Sequence, residues 1–164
     1  MAEFDPIPIL RTLQRHRVEF IVVGGIAAIA QGSPLPTYDL DVTPARDLEN
    51  LERVAAALIE LEATLRVPHG PGAPFPVDAA FLREGQSWTL DTKHGGFDLV
   101  VLPAGTSGYE DLAADAGNAE LGEDLVVRIA SLRDVIRMKQ ASGRPKDLAA
   151  LPALYAALDR SRES

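Results

Sequence analysis

The sequence predicts an α+β fold, with a small mixed β-sheet flanked by helices and a helical C-terminal part. Two kinds of segment indicate this class: β-branched or alternating apolar runs that suit strands, and apolar residues repeated at helical spacing. Glycine and proline separate these segments, which makes the predicted elements short. Because strand and helix patterns are mixed along the chain, we expect helices to collect at both ends of one compact sheet.

Five elements are predicted in the first 61 residues. A β-branched run ends abruptly at Gly24-Gly25, and the small apolar residues that follow suit a tightly packed helix. Thr43 and Pro44 are expected to cap and open the longest of these helices. In chain order, the predictions are a helix over residues 7–17, a strand over 18–23, a helix over 26–30, a strand over 38–42 and a helix from 43 through 61.

The second half of the chain is predicted to continue with a loop, a hairpin and three helices. Ser107 with Glu110, and Ser131 with Asp134, match the capping-box pattern, so a helix is expected to begin at each serine. Pro145 suits the first turn of a final helix. The other predictions are an irregular loop over residues 68–76, hairpin strands over 87–91 and 97–102, and a strand over 125–129.

Length and composition fit one domain spanning residues 1–164. The chain has 164 residues, and 46% of them are apolar, which is enough to bury a substantial core. It has no cysteine, which excludes disulfides, thiolate nucleophiles and cysteine metal sites. The longest apolar run, residues 20–30, is shorter than the roughly 20 residues that span a bilayer. Because the N-terminus is also acidic, we expect a cytoplasmic protein without a membrane partner.

Two acidic residues share one face of the predicted strand over residues 38–42. Leu40 faces one side of this strand, whereas Asp39 and Asp41 face the other, with their carboxylates about 6 to 7 Å apart. Oxygen ligands favour magnesium or manganese over zinc, and such metals serve phosphoryl transfer. A solvated strand face is the alternative interpretation of these two residues.

Neighbouring residues strengthen the metal hypothesis. Gly24-Gly25 follows a strand directly and opens a helix whose N-terminal amides can hold a phosphate, although a simple tight turn also uses such a pair. Asp98 supplies a third carboxylate on another strand, either as a general base or as an ordinary acid at a strand edge. Only three of the 16 basic residues are lysine, and Lys139 and Lys146 are two of them. A retained lysine suggests a compact charge at a triphosphate.

The charge distribution limits how nucleic acid could bind. The net charge of −8 argues against a general nucleic-acid binder, because non-specific affinity comes mainly from Lys and Arg. Every charged residue in the range 128–146 except Asp134 is nevertheless basic, and the first predicted helix has a basic face. A solvated helix face is an equally good explanation of such a run. The candidate nucleic-acid contacts are Arg11, Arg15, Arg133 and Arg137.

Four stretches together resemble a known family. The run from Val22 to Val42 looks like the first motif of the DNA polymerase β-like nucleotidyltransferase superfamily, particularly the branch containing the AbiEii and MenT toxins. Asp98, within Gly96–Val100, resembles the third acidic position of that family. Arg137–Lys139 and Arg144–Asp147 resemble its two C-terminal basic motifs, and all four stretches occur in the family's order.

This resemblance implies a magnesium-dependent (or manganese-dependent) nucleotidyltransferase fold and activity. The nucleoside monophosphate of an NTP would pass to an acceptor hydroxyl, with the 3′ end of tRNA as acceptor, in the toxin of a toxin–antitoxin pair with an antitoxin protein as partner. The catalytic core would cover residues of about 1–106, and the C-terminal helical part about 107–164. The implied catalytic and metal-binding residues are Asp39, Asp41 and Asp98. The implied NTP-binding residues are Gly24, Gly25, Thr37, Lys139, Arg144, Lys146 and Asp147.

Two departures from the family pattern keep alternatives open. Many relatives have Gly-Ser where this chain has Gly24-Gly25, so a hydroxyl contact to phosphate is missing. Many also carry an arginine in the loop where Leu35 and Pro36 stand here. The alternatives are a transferase that acts on a small molecule or a protein hydroxyl, and a nucleotide-binding module without turnover. Asp147 also suits the first turn of a helix, where its carboxylate favours the helix dipole.

Overall fold

The structure, a computed structural model, describes residues 2–163. Within these residues the chain forms seven helices and one seven-stranded sheet. The helices are α1 (Pro6–Arg15), α2 (Gly24–Ala30), α3 (Leu48–Glu60), α4 (Ala79–Arg83), α5 (Tyr109–Ala113), α6 (Leu132–Ser142) and α7 (Pro145–Arg162). The strands are β1 (Phe20–Val23), β2 (Asp39–Pro44), β3 (Thr64–Leu65), β4 (Ser87–Thr92), β5 (Gly95–Val100), β6 (Gly117–Gly122) and β7 (Leu125–Ile129).

The sheet is mixed, as the sequence predicts. Its strand order is β3-β4-β5-β2-β1-β7-β6. β1 is parallel to β7 and β2 is parallel to β5, whereas all other neighbours are antiparallel. The central strand, β2, carries the acidic pair, and its neighbour β1 leads directly into the glycine pair that opens α2.

Burial fixes the direction in which the acidic pair of β2 points. Leu40 and Val42 are fully buried, whereas Asp39 and Asp41 alternate with them and are partly exposed. A register slip of one residue would bury both carboxylates in the core, so the hydrophobic pattern strongly specifies the register. Helix α3 packs against β2, and α2 contacts β1, β2 and α6.

Two predicted helix starts are wrong. Thr43 and Pro44 belong to β2, where they pair with β1, and α3 begins only at Leu48. The Asp47 carboxylate caps α3 by accepting a hydrogen bond from the Asn50 amide at 3.0 Å. The strand continues because pairing with β1 satisfies the backbone that a helix start would leave open. Ser107 likewise does not cap a helix, since α5 follows Gly108 instead.

The C-terminal helices and β7 occur where the sequence predicts them. Ser131 caps α6 by accepting a hydrogen bond from the Asp134 amide at 3.1 Å, and Gly143 ends this helix with a left-handed φ of 64°. Pro145 lies in the first turn of α7. No helix within residues 2–163 is long and apolar enough to cross a membrane.

Candidate active site

Three carboxylates converge on two adjacent parallel strands. Asp39 and Asp41 lie on β2 and Asp98 lies on β5, where the register pairs Asp41 with Asp98. Each of the three offers a carboxylate oxygen, and these oxygens all lie within 4.8 Å of one another. The structure therefore brings together the three residues that the sequence singled out as acidic ligands.

Burial and mutual repulsion outweigh the positive charge around this cluster. Burial, together with the charges of Asp39 and Asp98, raises the pKa of Asp41 to about 8. Burial and the charge of Asp39 also raise the pKa of Asp98. The Asp98 Oδ1 atom is buried and accepts no hydrogen bond from any residue in the described part of the chain. An orphaned acceptor among repelling carboxylates is the environment that a bound cation would relieve.

The donor set suits magnesium or manganese. All three ligands are carboxylate oxygens, which hard divalent cations prefer, and neither histidine nor cysteine takes part. Among residues 2–163 this is also the one group of three or more potential ligands that lie close enough to share an ion. Asp39, Asp41 and Asp98 are therefore the residues that would hold a divalent cation.

The glycine pair allows close approach of side chains from β2 and its preceding loop. Gly24 has a φ of +65°, and a Cβ there would lie 2.0 Å from Oδ2 of Asp41. A Cβ on Gly25 would lie 2.6 Å from Oγ1 of Thr37. Residue 24 must be glycine for both reasons, since its conformation is left-handed and its neighbour is a carboxylate. The Thr37 side chain occupies the space that a side chain at position 25 would need.

A cavity of about 190 Å³ connects these residues with two lysines, and we name it the lysine cavity. Lys139 comes from α6 and Lys146 from α7. Lysine can hold phosphate oxygens as a compact charge, and the acidic pair opens onto the same space. The residues of this cavity that bear on chemistry are Thr37, Asp39, Asp41, Lys139 and Lys146.

Asp147 is the buried acidic partner of Lys139 and Arg144. It is fully buried, and its carboxylate is 3.2 Å from Nζ of Lys139 and 2.8 Å from Nε of Arg144. Burial raises the pKa of Asp147, but hydrogen bonds with Arg144, Ser142 and Lys139 outweigh burial and hold it below its usual range. Asp147 also accepts from the Arg144 amide at the start of α7. Asp147 therefore serves as a helix-start residue, as the sequence suggests, and it also pairs with the basic side chains of Lys139 and Arg144.

The four candidate nucleic-acid contacts lie on α1 and α6, and three of them have partners within the protein. Arg11 donates to the Glu123 carbonyl at 2.6 Å, and Arg15 forms an ion pair with Glu60. Arg137 makes two 3.1 Å hydrogen bonds to Asp111 and also pairs with Asp134. Arg133 is exposed. No described contact joins the α1 pair to the α6 pair.

The structure adds one residue, Arg66, that the sequence did not indicate. Its guanidinium donates to Asp91 at 3.0 Å and to the Leu90 carbonyl at 2.9 Å, and its Nη2 lies 3.7 Å from Oδ1 of Asp98. Arg66 follows β3, a strand of only two residues whose pairing with β4 is long-range. No local spacing could have placed this guanidinium beside the carboxylates.

Comparisons with known proteins identify the fold. No protein-family model matches the sequence, and no curated protein matches it. Among solved structures, this chain is similar to TM1012 of Thermotoga maritima, described as a "putative nucleotidyltransferase". The TM-score is 0.58 at 15% sequence identity, and the match covers 92% of this chain and 94% of TM1012. The likeness confirms the predicted α+β fold of the nucleotidyltransferase type.

Proposed function

We propose that this chain transfers a nucleoside monophosphate from an NTP to an acceptor hydroxyl, with magnesium or manganese as cofactor. The observation that carries this proposal is the convergence of Asp39, Asp41 and Asp98 beside a cavity that also contains Lys139 and Lys146. A carboxylate cluster alone would suit many divalent-cation sites. Two lysines on the same cavity add a place for phosphate oxygens, which favours phosphoryl transfer.

Different side chains bind the triphosphate, hold the cation and accept the proton in the proposed reaction. Lys139 and Lys146 bind the triphosphate. The Thr37 hydroxyl, which donates to the Asp39 carbonyl at 3.3 Å in the structure, would turn to donate to a phosphate oxygen. The cation held by the carboxylates would supply charge neutralisation at the reacting phosphate. The acceptor oxygen bonds to the α-phosphorus while the bond to the bridging β-phosphate oxygen breaks, and pyrophosphate leaves with that electron pair. Asp98 accepts the hydroxyl proton.

We further propose that the acceptor is the 3′ end of a tRNA and that the protein is the toxin of a toxin–antitoxin pair. Support comes from the motif resemblance to the AbiEii and MenT branch and from the exposed Arg133 near the C-terminal basic residues. An antitoxin protein would then be a further partner. Since three of the four candidate arginines already have partners within the protein, contacts to RNA phosphates would be few.

The test is transfer of label from each α-labelled NTP, with magnesium, to fractions of a cell extract. We expect label in the RNA fraction with the wild-type protein, and its loss in Asp39→Ala and Asp41→Ala, because lost charge stabilisation costs several kcal/mol at the transition state. Lys139→Ala should lower the rate by about tenfold or more, since the lysine positions the triphosphate. Lys93→Ala, which changes an exposed lysine in the β4–β5 turn, is the matched control.

Each other outcome points to a different function. Label in small molecules or protein alone would contradict the RNA acceptor and leave nucleotidyl transfer intact. Equal labelling of tRNA with intact and with periodate-oxidised 3′ ends would exclude the 3′ hydroxyl. NTP binding without label in any fraction would identify a nucleotide-binding module. Normal turnover in Asp41→Ala would show that the carboxylate cluster takes no part in the reaction.

A further inference from the structure

Two cavities meet at Asp39, and only one of them contains the lysines. The second cavity, which we name the Arg66 cavity, has a volume of about 690 Å³ and lies over β4 and β5. Asp39 is the one residue that lines both this cavity and the lysine cavity among the described residues. The residues of the Arg66 cavity that bear on chemistry are Phe4, Tyr38, Asp39, Arg66, Asp91 and Gly96.

The geometry of phosphoryl transfer assigns different substrates to the two cavities. In such a reaction the attacking and leaving oxygens lie roughly in line on opposite sides of the phosphorus. Pyrophosphate, the leaving group, carries the most negative charge and belongs beside Lys139 and Lys146. The attacking hydroxyl then approaches from a different direction, and the Arg66 cavity, which reaches Asp39 and contains no lysine, offers such an approach.

Arg66 is built into the wall of this cavity beside the carboxylates. A Cβ on Gly96 would lie 2.6 Å from Nη2 of Arg66 and 3.1 Å from Cβ of Asp39, so glycine leaves the space that the guanidinium fills. Nε and Nη2 of Arg66 are engaged by Asp91, Leu90 and Asp98. Its Nη1 donates to no described residue and is available to a ligand.

The cavity is close to neutral once Asp39 holds a cation. The other charged groups that line it are Arg66 and Asp91, and these two pair with each other at 3.0 Å. Neither a phosphate-rich ligand nor a polycation gains much from such a lining. The remaining hydrogen-bonding groups, including Nη1 of Arg66 and the second carboxylate oxygen of Asp91, suit a ligand with both donors and acceptors.

Tyr38 gives the cavity a flat aromatic surface. This side chain directly precedes Asp39 and is 79% exposed. Aromatic rings so placed are stacking platforms for nucleobases, which every base can use. A volume of about 690 Å³ also lies within the range of ligand pockets of small-molecule size.

We infer that the Arg66 cavity binds the acceptor as a ribonucleoside, with its base on Tyr38, its polar edge at Arg66 and Asp91, and a ribose hydroxyl at Asp39. The inference rests on the proposed nucleotidyl transfer and adds the residues that determine acceptor specificity. The ribose oxygen bonds to the α-phosphorus, pyrophosphate leaves, and the hydroxyl proton passes to Asp98. The nucleoside is either free or the last residue of an RNA.

Binding is tested by saturation-transfer NMR on the full chain with magnesium and each of four probes, namely adenosine, guanosine, cytidine and uridine. We expect signals from base protons with the wild-type protein. Tyr38→Ala should weaken nucleoside binding about fivefold or more, because stacking on an aromatic ring contributes strongly for each base. Tyr38→Phe keeps the ring and should bind like the wild type. Arg66→Ala should weaken binding and change which bases are preferred.

Tyr155→Ala is the matched control, since Tyr155 is an exposed tyrosine on α7 and does not line the Arg66 cavity. Because Tyr38 is exposed, its variants keep the fold, and thermal denaturation checks Arg66→Ala. The inference is overturned if no nucleoside binds, or if Tyr38→Ala and Arg66→Ala bind every probe as the wild type does. Binding of glucose or kanamycin in place of nucleosides would also overturn it.

Transfer assays then distinguish the two sources of the nucleoside. The acceptors are free nucleosides, total RNA and periodate-oxidised RNA, each offered with α-labelled NTP. Label on free nucleosides identifies a small-molecule acceptor, whereas label on intact RNA alone identifies the terminal nucleoside of a chain. Label on nothing with the wild-type protein would defeat the proposed function, while the NMR result would still decide whether the cavity binds a nucleoside.

Discussion

At the scale of single residues, Gly24 and Gly25 take their importance from the side chains that approach them. The Asp41 carboxylate occupies the space beside Gly24, and the Thr37 hydroxyl group occupies the space beside Gly25. The sequence indicated that a hydroxyl was missing at position 25. In the fold, a threonine 12 positions later brings a hydroxyl to that same place, which local spacing could not reveal.

The pair Gly25 and Thr37 yields a double-mutant prediction. Thr37→Ala should weaken NTP binding by about tenfold, since a hydrogen bond to a charged group contributes about 1.5 kcal/mol. Thr37→Ser should keep most of the affinity because it keeps the hydroxyl. Gly25→Ser alone should lower both Tm and affinity, because its Cβ would lie 2.6 Å from Thr37. Combining Gly25→Ser with Thr37→Gly should recover both.

Calorimetry with a non-hydrolysable NTP analogue and thermal denaturation measure these two effects. Strictly additive losses in the double variant would contradict a shared space, because residues in contact normally show coupling.

The carboxylate cluster predicts how stability depends on pH. The folded-state pKa of Asp41, about 8, lies above its ordinary value of 3.8, so the charged form is disfavoured in the folded protein. Without divalent cation, the protein should therefore lose stability as pH rises from about 4 to about 8. Asp41→Asn removes this loss and should have a higher Tm than the wild type at pH 8, with little difference at pH 4.

Thermal denaturation with chelator and with magnesium provides the measurement. Magnesium should raise the Tm of the wild type at pH 8 and leave that of Asp41→Asn nearly unchanged. Asp159→Asn alters an exposed acid on α7 and serves as the control. An Asp41→Asn protein that is less stable than the wild type at pH 8 would show that Asp41 serves the fold rather than a cation.

At the scale of elements, the contact between α6 and α7 sets the positions of the basic side chains Lys139 and Arg144. Asp147 of α7 pairs with Lys139 of α6 across the turn at Gly143, whose left-handed φ allows the reversal. The cap at Ser131 and the first-turn proline at Pro145 are local signals, and the sequence predicted both helices. The start of α3 was predicted wrongly because Thr43 and Pro44 suit a helix start, but pairing with β1 keeps them in β2.

Asp147→Asn tests whether the ion pairs of Asp147 with Lys139 and Arg144 contribute to both stability and NTP binding. We expect a loss of about 2 kcal/mol in the free energy of unfolding near neutral pH, since a buried charge network loses its anion. NTP affinity should also fall, because Lys139 loses the partner that holds it. The folded-state pKa of Asp147 is depressed, so its contribution is present above the ordinary value of 3.8 and declines as pH falls below it.

Urea denaturation of both proteins between pH 3 and pH 8 measures the difference. The difference in the free energy of unfolding between the wild type and Asp147→Asn should shrink toward the acidic end of this range. A difference that stays constant would show that the carboxylate charge is unimportant and that the loss comes from hydrogen bonds that the amide nitrogen of asparagine cannot accept.

At the scale of the whole molecule, the fold is more predictable than the surface. Hydrophobic alternation predicted the mixed sheet and the direction of Asp39 and Asp41, because burial of Leu40 and Val42 allows only one register. The position of Arg66 depends on the pairing of β3 with β4, which no local pattern encodes. Basic residues close in sequence also proved to be engaged by acids of other elements, as Arg137 is by Asp111.

The salt dependence of RNA binding follows from this charge distribution. With a net charge of −8 and three of the four candidate arginines engaged within the protein, we expect weak RNA affinity and a shallow slope of log K against log salt. Arg133→Ala should reduce that slope by about 0.7, the value for one phosphate contact on a single strand. Filter binding of total tRNA over a range of NaCl concentrations gives the slope. An unchanged slope would remove Arg133 from the RNA contacts.

The carboxylates of the candidate site precede both of its lysines in the chain. The carboxylates lie on β2 and β5, whereas both lysines lie on α6 and α7, and β1 has no neighbour on its other side until β7 pairs with it. During synthesis on the ribosome, the N-terminal part would therefore emerge with its acidic cluster but without cations for a triphosphate. Nucleotide binding would begin only after the last two helices dock, so an incomplete chain that lacks α6 and α7 would not bind the triphosphate.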